Sequence, residues 1–345
     1  MKVAAAGKVF LAGEYAVLTG APALVAGVDR ALHAEWNPSA RLELFHRPSG
    51  AVYTEGGGVP AELRFARAGV DLALRLCREE GLPERPFTLT FEDDFTLDGR
   101  KVGLGGSAAA TALSVEVACA AQGRTLAADE HVALAAAAHW AEQGGSGSGG
   151  DVAASVLGGV LQVRTQRAFA SVEDVLRSPA RSLASARPLQ AARVAVPADL
   201  RLVLLFTGAS ADSRALVRAV NAFAGARPHL WQGRAREIAE QSTALAAALA
   251  SSDREAALQA VRDAASAMAA LGEAAGVGIV TPELARACAL AASAGAAAKP
   301  SGAGGGDCAV ALCFGDDAAA RLERACLGAF PTLRVSPAPA RERAT

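Results

Sequence analysis

The sequence predicts an α+β protein, and three observations carry that reading. Segments with alternating apolar residues and segments with helical period follow one another in mixed order, not as strict βαβ units. Of the 345 residues, 52% are hydrophobic and 20% charged, enough for two cores or one large one and unlike a disordered chain. Three Gly-rich loops, at 103–106, 144–150 and 302–306, punctuate the periodic segments.

Residues 2–12 (KVAAAGKVFLA) read as a strand entering a turn at Gly13, and residues 23–36 as a second strand. Residues 40–54 form a hairpin pattern about Pro48-Ser49-Gly50. Residues 61–80 have helical period, with Leu63, Val70, Leu74 and Cys77 on one side, and 86–97 read as a strand. Ala-rich helices are expected over 107–122 and 127–142, then an apolar helix or turn from Asp151 and a strand over 159–165. Residues 171–188 look irregular, a bridge between domains. Strand-like segments follow within 193–206, then helices over 211–224, 229–250, 253–272 and 282–294. A strand over 308–314 and a helix over 316–328 close the pattern, and the tail beyond Pro337 is expected to fray. No internal repeat is present.

Several classes of function are disfavoured. A formal net charge of −1 does not suit a nucleic-acid binder or a protein held on anionic membranes. Lys8 and Glu14 interrupt the apolar N-terminal run, so no signal-peptide core can be drawn, and no apolar stretch is long enough to span a bilayer. The six cysteines form no CxxC pair, which argues against zinc and fits reduced thiols in a cytoplasmic protein. Only four lysines occur, Lys2, Lys8, Lys101 and Lys299, while the thirty other basic residues are Arg. Three of the four lie in or beside Gly-rich motifs, where a compact ammonium has a use that guanidinium lacks.

The central motif is Val102-Gly-Leu-Gly-Gly-Ser-Ala-Ala-Ala-Thr111. Clustered glycines let backbone N–H groups approach an anion, and the helix behind them adds unpaired amides and its positive dipole end. The loop lacks the Gly-Lys-Ser/Thr of a Walker A motif. It is also not a dinucleotide fingerprint, since Ala108 stands at the third glycine position. Taken alone, a helix-capping turn fits it equally well. Two further motifs flank it: Lys8-Val-Phe-Leu-Ala-Gly-Glu-Tyr-Ala-Val-Leu18 and Lys299-Pro-Ser-Gly-Ala-Gly-Gly-Gly-Asp-Cys308.

This ordered triplet resembles the three motifs of the GHMP kinases, over nearly the whole chain. The resemblance implies a ribosomal protein S5 domain 2-like N-terminal domain, taken as 1–188, and a ferredoxin-like C-terminal domain, taken as 189–345. The active site would lie in the cleft between them. Within the superfamily the details are most similar to phosphomevalonate kinases: Tyr15 where mevalonate kinases carry His, Asp307 where they carry Gly, Lys101 just before the phosphate loop, Ser146-Gly-Ser-Gly-Gly-Asp151, and the Thr207-Gly-Ala-Ser210 turn. Gly106 and Pro300 depart from the family's usual Ser and Ser/Thr.

The resemblance implies ATP and Mg²⁺ as cofactors and 5-phosphomevalonate as acceptor. ATP would be held by Lys101, Gly103, Leu104, Gly105, Gly106, Ser107, Ala108 and Ala109. Ser107 would be the metal ligand, with helix N-cap as its other reading. Lys8 would neutralise the transferred phosphoryl or acidify the acceptor hydroxyl. Asp151 would orient or deprotonate that hydroxyl, or cap a helix. The acceptor would meet Gly13, Glu14, Tyr15, Ala16, Ser146, Ser148, Ser301, Gly302, Gly304 and Asp307. Glu14 is expected to orient Lys8 or another cation. His131, His139 and Glu142 read as structural or surface residues. The rivals are a mevalonate kinase and a catalytically inactive GHMP-fold binding protein. The second is disfavoured because Lys8, Ser107 and Asp151 are all present. Nothing in the sequence sets an oligomeric state.

Overall fold

A computed structural model describes residues 1–92, 95–97, 100–166, 169–208 and 212–339, with the side chains of 97, 100 and 101 outside that description. Strand β1 (Lys2–Ala12) runs antiparallel to the long β2 (Pro22–Pro38). The hairpin β3 (Glu43–His46) and β4 (Ala51–Thr54) follows, then α1 (Arg64–Glu79) and β5 (Phe87–Phe91). A two-stranded ribbon, β6 (Thr96–Leu97) with β7 (Arg100–Lys101), leads into α2 (Gly106–Ala121), α3 (Ala128–Glu142) and α4 (Gly150–Leu157). Next come β8 (Val160–Thr165), the short helices α5 (Val172–Arg177) and α6 (Ala180–Ala184), and β9 (Leu189–Arg193). The first sheet has the order β4-β3-β5-β2-β8-β9, with β1 also paired to β2. Its pairs are antiparallel except β3 with β5.

The second half begins with β10 (Leu200–Phe206) and four helices: α7 (Ser213–Ala226), α8 (Pro228–Ala250), α9 (Arg254–Ala275) and α10 (Pro282–Ser293). Strands β11 (Ala297–Pro300) and β12 (Cys308–Phe314), helix α11 (Asp316–Cys326) and strand β13 (Thr332–Val335) complete it. The second sheet is antiparallel throughout, in the order β11-β12-β10-β13.

Sequence pattern accounts for most of this. On α1 the apolar face Val70, Ala73, Leu76 and Cys77 is buried while Asp71 and Arg78 face out, the amphipathic arrangement its period predicts. Helices α2 and α3 are covered on most sides, with runs such as Val132–Ala138 buried. Their alanines let neighbouring helices and the sheet pack closely, at little cost in side-chain entropy. Helices α8 and α9 pack as an antiparallel pair joined by a short turn, the α9 start capped by Asp253 accepting from the Ala256 amide at 3.0 Å.

Four expectations need correction. Residues 171–188 are not an irregular bridge: α5 and α6 pack on α3, and α6 also on α1. The first sheet continues past residue 188, because β9 pairs with β8. The expected strand 86–97 is split into β5 and the ribbon strand β6. The tail does not fray directly after Pro337: Ala338 donates to the Gly27 carbonyl at 2.7 Å and accepts from Gly159 at 3.1 Å, tying this residue to the N-terminal sheet, while residues 340–345 lie outside the described residues.

Candidate active site

Lys8 and the phosphate loop are built against each other. The Lys8 amide donates to the Leu104 carbonyl at 2.8 Å, which pins β1 to the loop. Its Nζ donates to the Gly103 carbonyl at 3.2 Å. Gly105 is the N-cap of α2, with φ +79 in the left-handed region that glycine adopts freely. A Cβ there would lie 2.7 Å from Lys8 Cγ and 2.9 Å from Cε. The absence of a side chain at 105 thus lets the lysine stem lie across the loop and bring its ammonium to the loop's first residue. Immediately behind stand the first amides of α2, which have no intrahelical acceptor.

A cavity of about 620 Å³ opens on this loop. Residues 103–107 form one wall, and Phe65, Phe95, Arg64 and His46 line it further out. Asp307, at the end of the third Gly-rich loop, closes it from the C-terminal half. Asp307 has φ +51, an uncommon backbone state for a non-glycine residue, and its carbonyl accepts from the Thr207 amide at 3.0 Å. Arg64 lies over the Phe65 ring at 4.6 Å and faces Glu142 at 3.6 Å.

Ser107, in the cavity wall, is not the N-cap of α2; that position is Gly105. Its Oγ lies 3.1 Å from Nε2 of His139, a residue only 3% exposed on α3. The His139 ring also stacks on Phe65, with centroids 5.1 Å apart. Burial, the leading cause, lowers the His139 pKa. The Asp151 charge opposes it, Lys8 adds to it and Glu142 opposes it weakly. The ring is therefore neutral near pH 7, and it feels the charges of both Lys8 and Asp151. Asp151 lies in the first turn of α4, where its Oδ1 accepts from the Val152 amide at 3.0 Å; the N-cap is Gly149.

Motifs one and three meet through buried polar contacts. The Lys299 ammonium, fully buried on β11, pairs with Glu14 Oε1 and donates to the Pro300 carbonyl at 2.5 Å. The same Glu14 oxygen accepts from the Gly302 amide at 3.2 Å. Glu14 therefore orients Lys299 rather than Lys8. Tyr15, with φ +63, sends its hydroxyl to the Ala303 carbonyl at 2.5 Å. Burial, then the Glu14 charge, raises the Tyr15 pKa, so the phenol stays a donor. Gly304 fits under the Ile279 carbonyl, where a Cβ would come within 2.2 Å of the oxygen.

The structure thus gathers Gly103, Leu104, Gly105, Gly106, Ser107 and Asp307 at the cavity, with the Lys8 stem lying against Gly105 and with Ala108 and Ala109 buried behind them in α2. Gly13, Glu14, Tyr15 and Ala16 are buried in the turn after β1 and do not line that cavity. Ser146 is exposed and donates to the Gln143 carbonyl at 3.3 Å; Ser148 Oγ accepts from the Gly150 amide at 3.3 Å. Ser301 is held by its amide to the Cys308 carbonyl at 3.1 Å, and Gly302 has φ +77. Lys101 lies in β7, its side chain outside the described part, as are residues 209 and 210 of the 207–210 turn. His131 is buried, its Nε2 2.8 Å from the Ala112 carbonyl. The contacts of His139 with Ser107 and of Lys299 with Glu14 go beyond what the sequence reading names. The even helical burial of α3 hid the first, but the scarcity of lysine was a signal for the second.

Residues 68–159 match the GHMP kinases N terminal domain, and residues 245–332 match GHMP kinases C terminal. The chain is 34% identical over 339 residues to the phosphomevalonate kinase of Streptomyces sp. (strain CL190), covering 89% of this chain and 88% of that protein. Among solved structures, the Lin0012 protein of Listeria innocua is 27% identical with a TM-score of 0.83, covering 98% of this chain and 99% of that one. Phosphomevalonate kinase of Streptococcus pneumoniae, in complex with phosphomevalonate and AMPPNP, is 21% identical with a TM-score of 0.86, over 98% of this chain and 100% of that one. That last likeness is one of fold.

Proposed function

The chain belongs to the GHMP kinase family, and from that premise we propose that it transfers the terminal phosphoryl group of ATP to 5-phosphomevalonate, giving ADP and 5-diphosphomevalonate. The acceptor is chosen on the 34% identity to the Streptomyces phosphomevalonate kinase. The geometric observation that carries the transfer chemistry is the Lys8 ammonium, 3.2 Å from the first carbonyl of a glycine loop that opens a helix.

Phosphoryl transfer needs positioning and charge stabilisation more than covalent assistance from protein groups. Amides of residues 103–107 and the dipole of α2 hold the triphosphate, as would Lys101. Lys8 neutralises charge on the migrating group. Asp151, beside the same His139, takes the acceptor's proton as the new oxygen–phosphorus bond forms. Ser146, Ser148, Ser301 and the amides of the 302–306 loop serve the acceptor. Gly13 to Ala16 serve it indirectly, by fixing that loop through Glu14 and Tyr15.

The residues present fit a magnesium ion held mainly by nucleotide phosphates. Among the described residues no group of three His, Cys, Asp or Glu could hold a metal alone, while the Ser107 hydroxyl stands in the cavity wall. Mg²⁺ keeps waters and substrate phosphates as most of its ligands, so one hydroxyl suffices from this loop. Once bound, the ion would neutralise charge on the phosphate oxygens. No helix among the described residues is long and apolar enough to cross a membrane, and we place the enzyme in the cytoplasm.

Phosphorus NMR of the protein with ATP, Mg²⁺ and 5-phosphomevalonate is the direct test. The expected spectrum shows a new diphosphate ester growing in step with ADP. ADP without that ester, or no turnover by folded protein, contradicts the reading.

A further inference from the structure

Helices α1 and α2 pack closely and begin at the same cavity. Thr111 Oγ1 on α2 donates to the Phe65 carbonyl on α1 at 3.3 Å. A Cβ at Gly69 would lie 2.8 Å from the Thr111 carbonyl oxygen, so the lack of a side chain there lets the two helices approach. Ala61, Glu62, Arg64 and Phe65 are thereby brought to the cavity that residues 103–107 line. Among the described lining residues Arg64 is the one Lys or Arg, set against two carboxylates, Glu62 and Asp307. Its guanidinium carbon lies 4.6 Å from the centroid of the Phe65 ring. Its ion-pair partner is Glu142 at 3.6 Å, beyond the range of a normal hydrogen bond, with side chains 38% and 29% exposed. So loose and exposed a pair is worth little and is readily exchanged for a stronger one.

A triphosphate in this cavity brings several negative charges toward Glu62 and Asp307. The glycine loop answers with amide dipoles, and the Lys8 ammonium meets the loop at Gly103. We propose that Arg64 is a nucleotide-binding residue: its guanidinium, resting on Phe65, turns from Glu142 to the phosphate chain of ATP and supplies a full positive charge from the α1 side of the cavity. The inference rests on the kinase reading of that cavity and adds a residue to it. Arginine suits the position. Its planar group stacks on a ring through one face while its N–H edge stays free for two phosphate oxygens. The stack also holds the side chain beside the loop before the nucleotide arrives, which lowers the entropy lost on binding.

The test is isothermal titration of the full chain with AMPPNP and Mg²⁺, and separately with adenosine. Arg64→Gln is expected to weaken AMPPNP binding about tenfold, the effect of roughly one hydrogen bond to a charged group. Adenosine, which has no phosphate, should bind the variant as it binds the wild type. Arg64→Lys keeps the charge but not the fork, and should recover part of the loss. Kinetically, Arg64→Gln should raise KM for ATP and leave KM for the acceptor unchanged. Equal losses for AMPPNP and adenosine would overturn the proposal, since Arg64 would then shape the cavity or stack on the base. Unchanged AMPPNP affinity would overturn it too, leaving a surface ion pair with Glu142. In both cases the kinase reading stands; wild-type protein that binds no AMPPNP would remove both. Phenylglyoxal labelling of the wild type, read by peptide mass spectrometry, is independent of any folding defect in the variants. AMPPNP but not adenosine should shield Arg64, and labelling that AMPPNP does not slow overturns the proposal.

Discussion

Asp151→Asn is expected to lower kcat by about 10²–10⁴-fold, the usual effect of removing a general base, with KM for ATP and unfolding free energy nearly unchanged. The structure makes this substitution clean. Asp151 is not the N-cap of α4, a position held by Gly149, and its Oδ1 accepts from the Val152 amide at 3.0 Å. Asparagine keeps the size and can keep that acceptor oxygen, so the helix start should survive. What it loses is the capacity to take a proton from an alcohol as the oxygen–phosphorus bond forms. The measurement is steady-state kinetics with both substrates varied, together with urea unfolding. A variant that keeps more than about a tenth of the wild-type kcat would reduce Asp151 to aiming the hydroxyl. A loss of several kcal/mol in stability would instead make it a structural residue of α4.

Lys299→Met should be among the most destabilising single changes in the chain, at about 3–5 kcal/mol, because it leaves the buried Glu14 carboxylate without its counter-charge. Both partners are out of water, with side-chain exposures of 1% and 4%. The second carboxylate oxygen of Glu14 is buried without a hydrogen-bond partner, so without Lys299 the charge would keep only the Gly302 amide on its other oxygen. The double variant Glu14→Gln/Lys299→Met removes both charges and keeps an acceptor for the Gly302 amide. It is expected to recover most of the lost stability, since replacing both members of a buried pair is often close to neutral. Urea unfolding of the wild type and the two variants checks this. A loss below about 1 kcal/mol for Lys299→Met would mean that the pair is hydrated and that Glu14 does not depend on it. The consequence for function is positional: Glu14 reaches the 302–306 loop through Gly302, and Tyr15 reaches it through Ala303.

The sequence carried the parts of the fold that have strong local signals. β1 was legible to the residue, and the long helices to within a few, because their periods and end residues agree. Strands β9, β11 and β13 were not. LQAAR and AAKP contain few β-branched residues, and AAKP follows an Ala-rich helix into a glycine turn, so nothing local separates it from that helix. These strands exist because β8, β12 and β10 offer edges to pair with, a tertiary cause. Residues 171–188 misled in the same way: α5 and α6 are too short to show a period, and they are helical because they cover α3.

The candidate site shows the same division. The glycine loops were legible because their backbone demands are written in residue type. Gly105 needs both φ +79 and room for the Lys8 stem. The partner of Glu14 was legible only as a cation, and the structure makes it Lys299, 285 residues away. His139 carries no signal in the sequence because α3 is buried nearly all round, so no face of that helix marks itself as the one that meets Ser107.

The central claim is that this glycine-loop cleft uses ATP to phosphorylate an acceptor that already carries one phosphate. The most direct measurement is a coupled ADP-release assay comparing mevalonate with 5-phosphomevalonate under the same conditions, with kcat/KM determined for each. The account predicts a kcat/KM for 5-phosphomevalonate far above that for mevalonate, because the added phosphate needs cationic and N–H partners and we assign these to Lys8 and the amides of the glycine loops. A higher kcat/KM for mevalonate would contradict the acceptor assignment while leaving a GHMP kinase, and no ADP release with either acceptor would contradict the kinase itself.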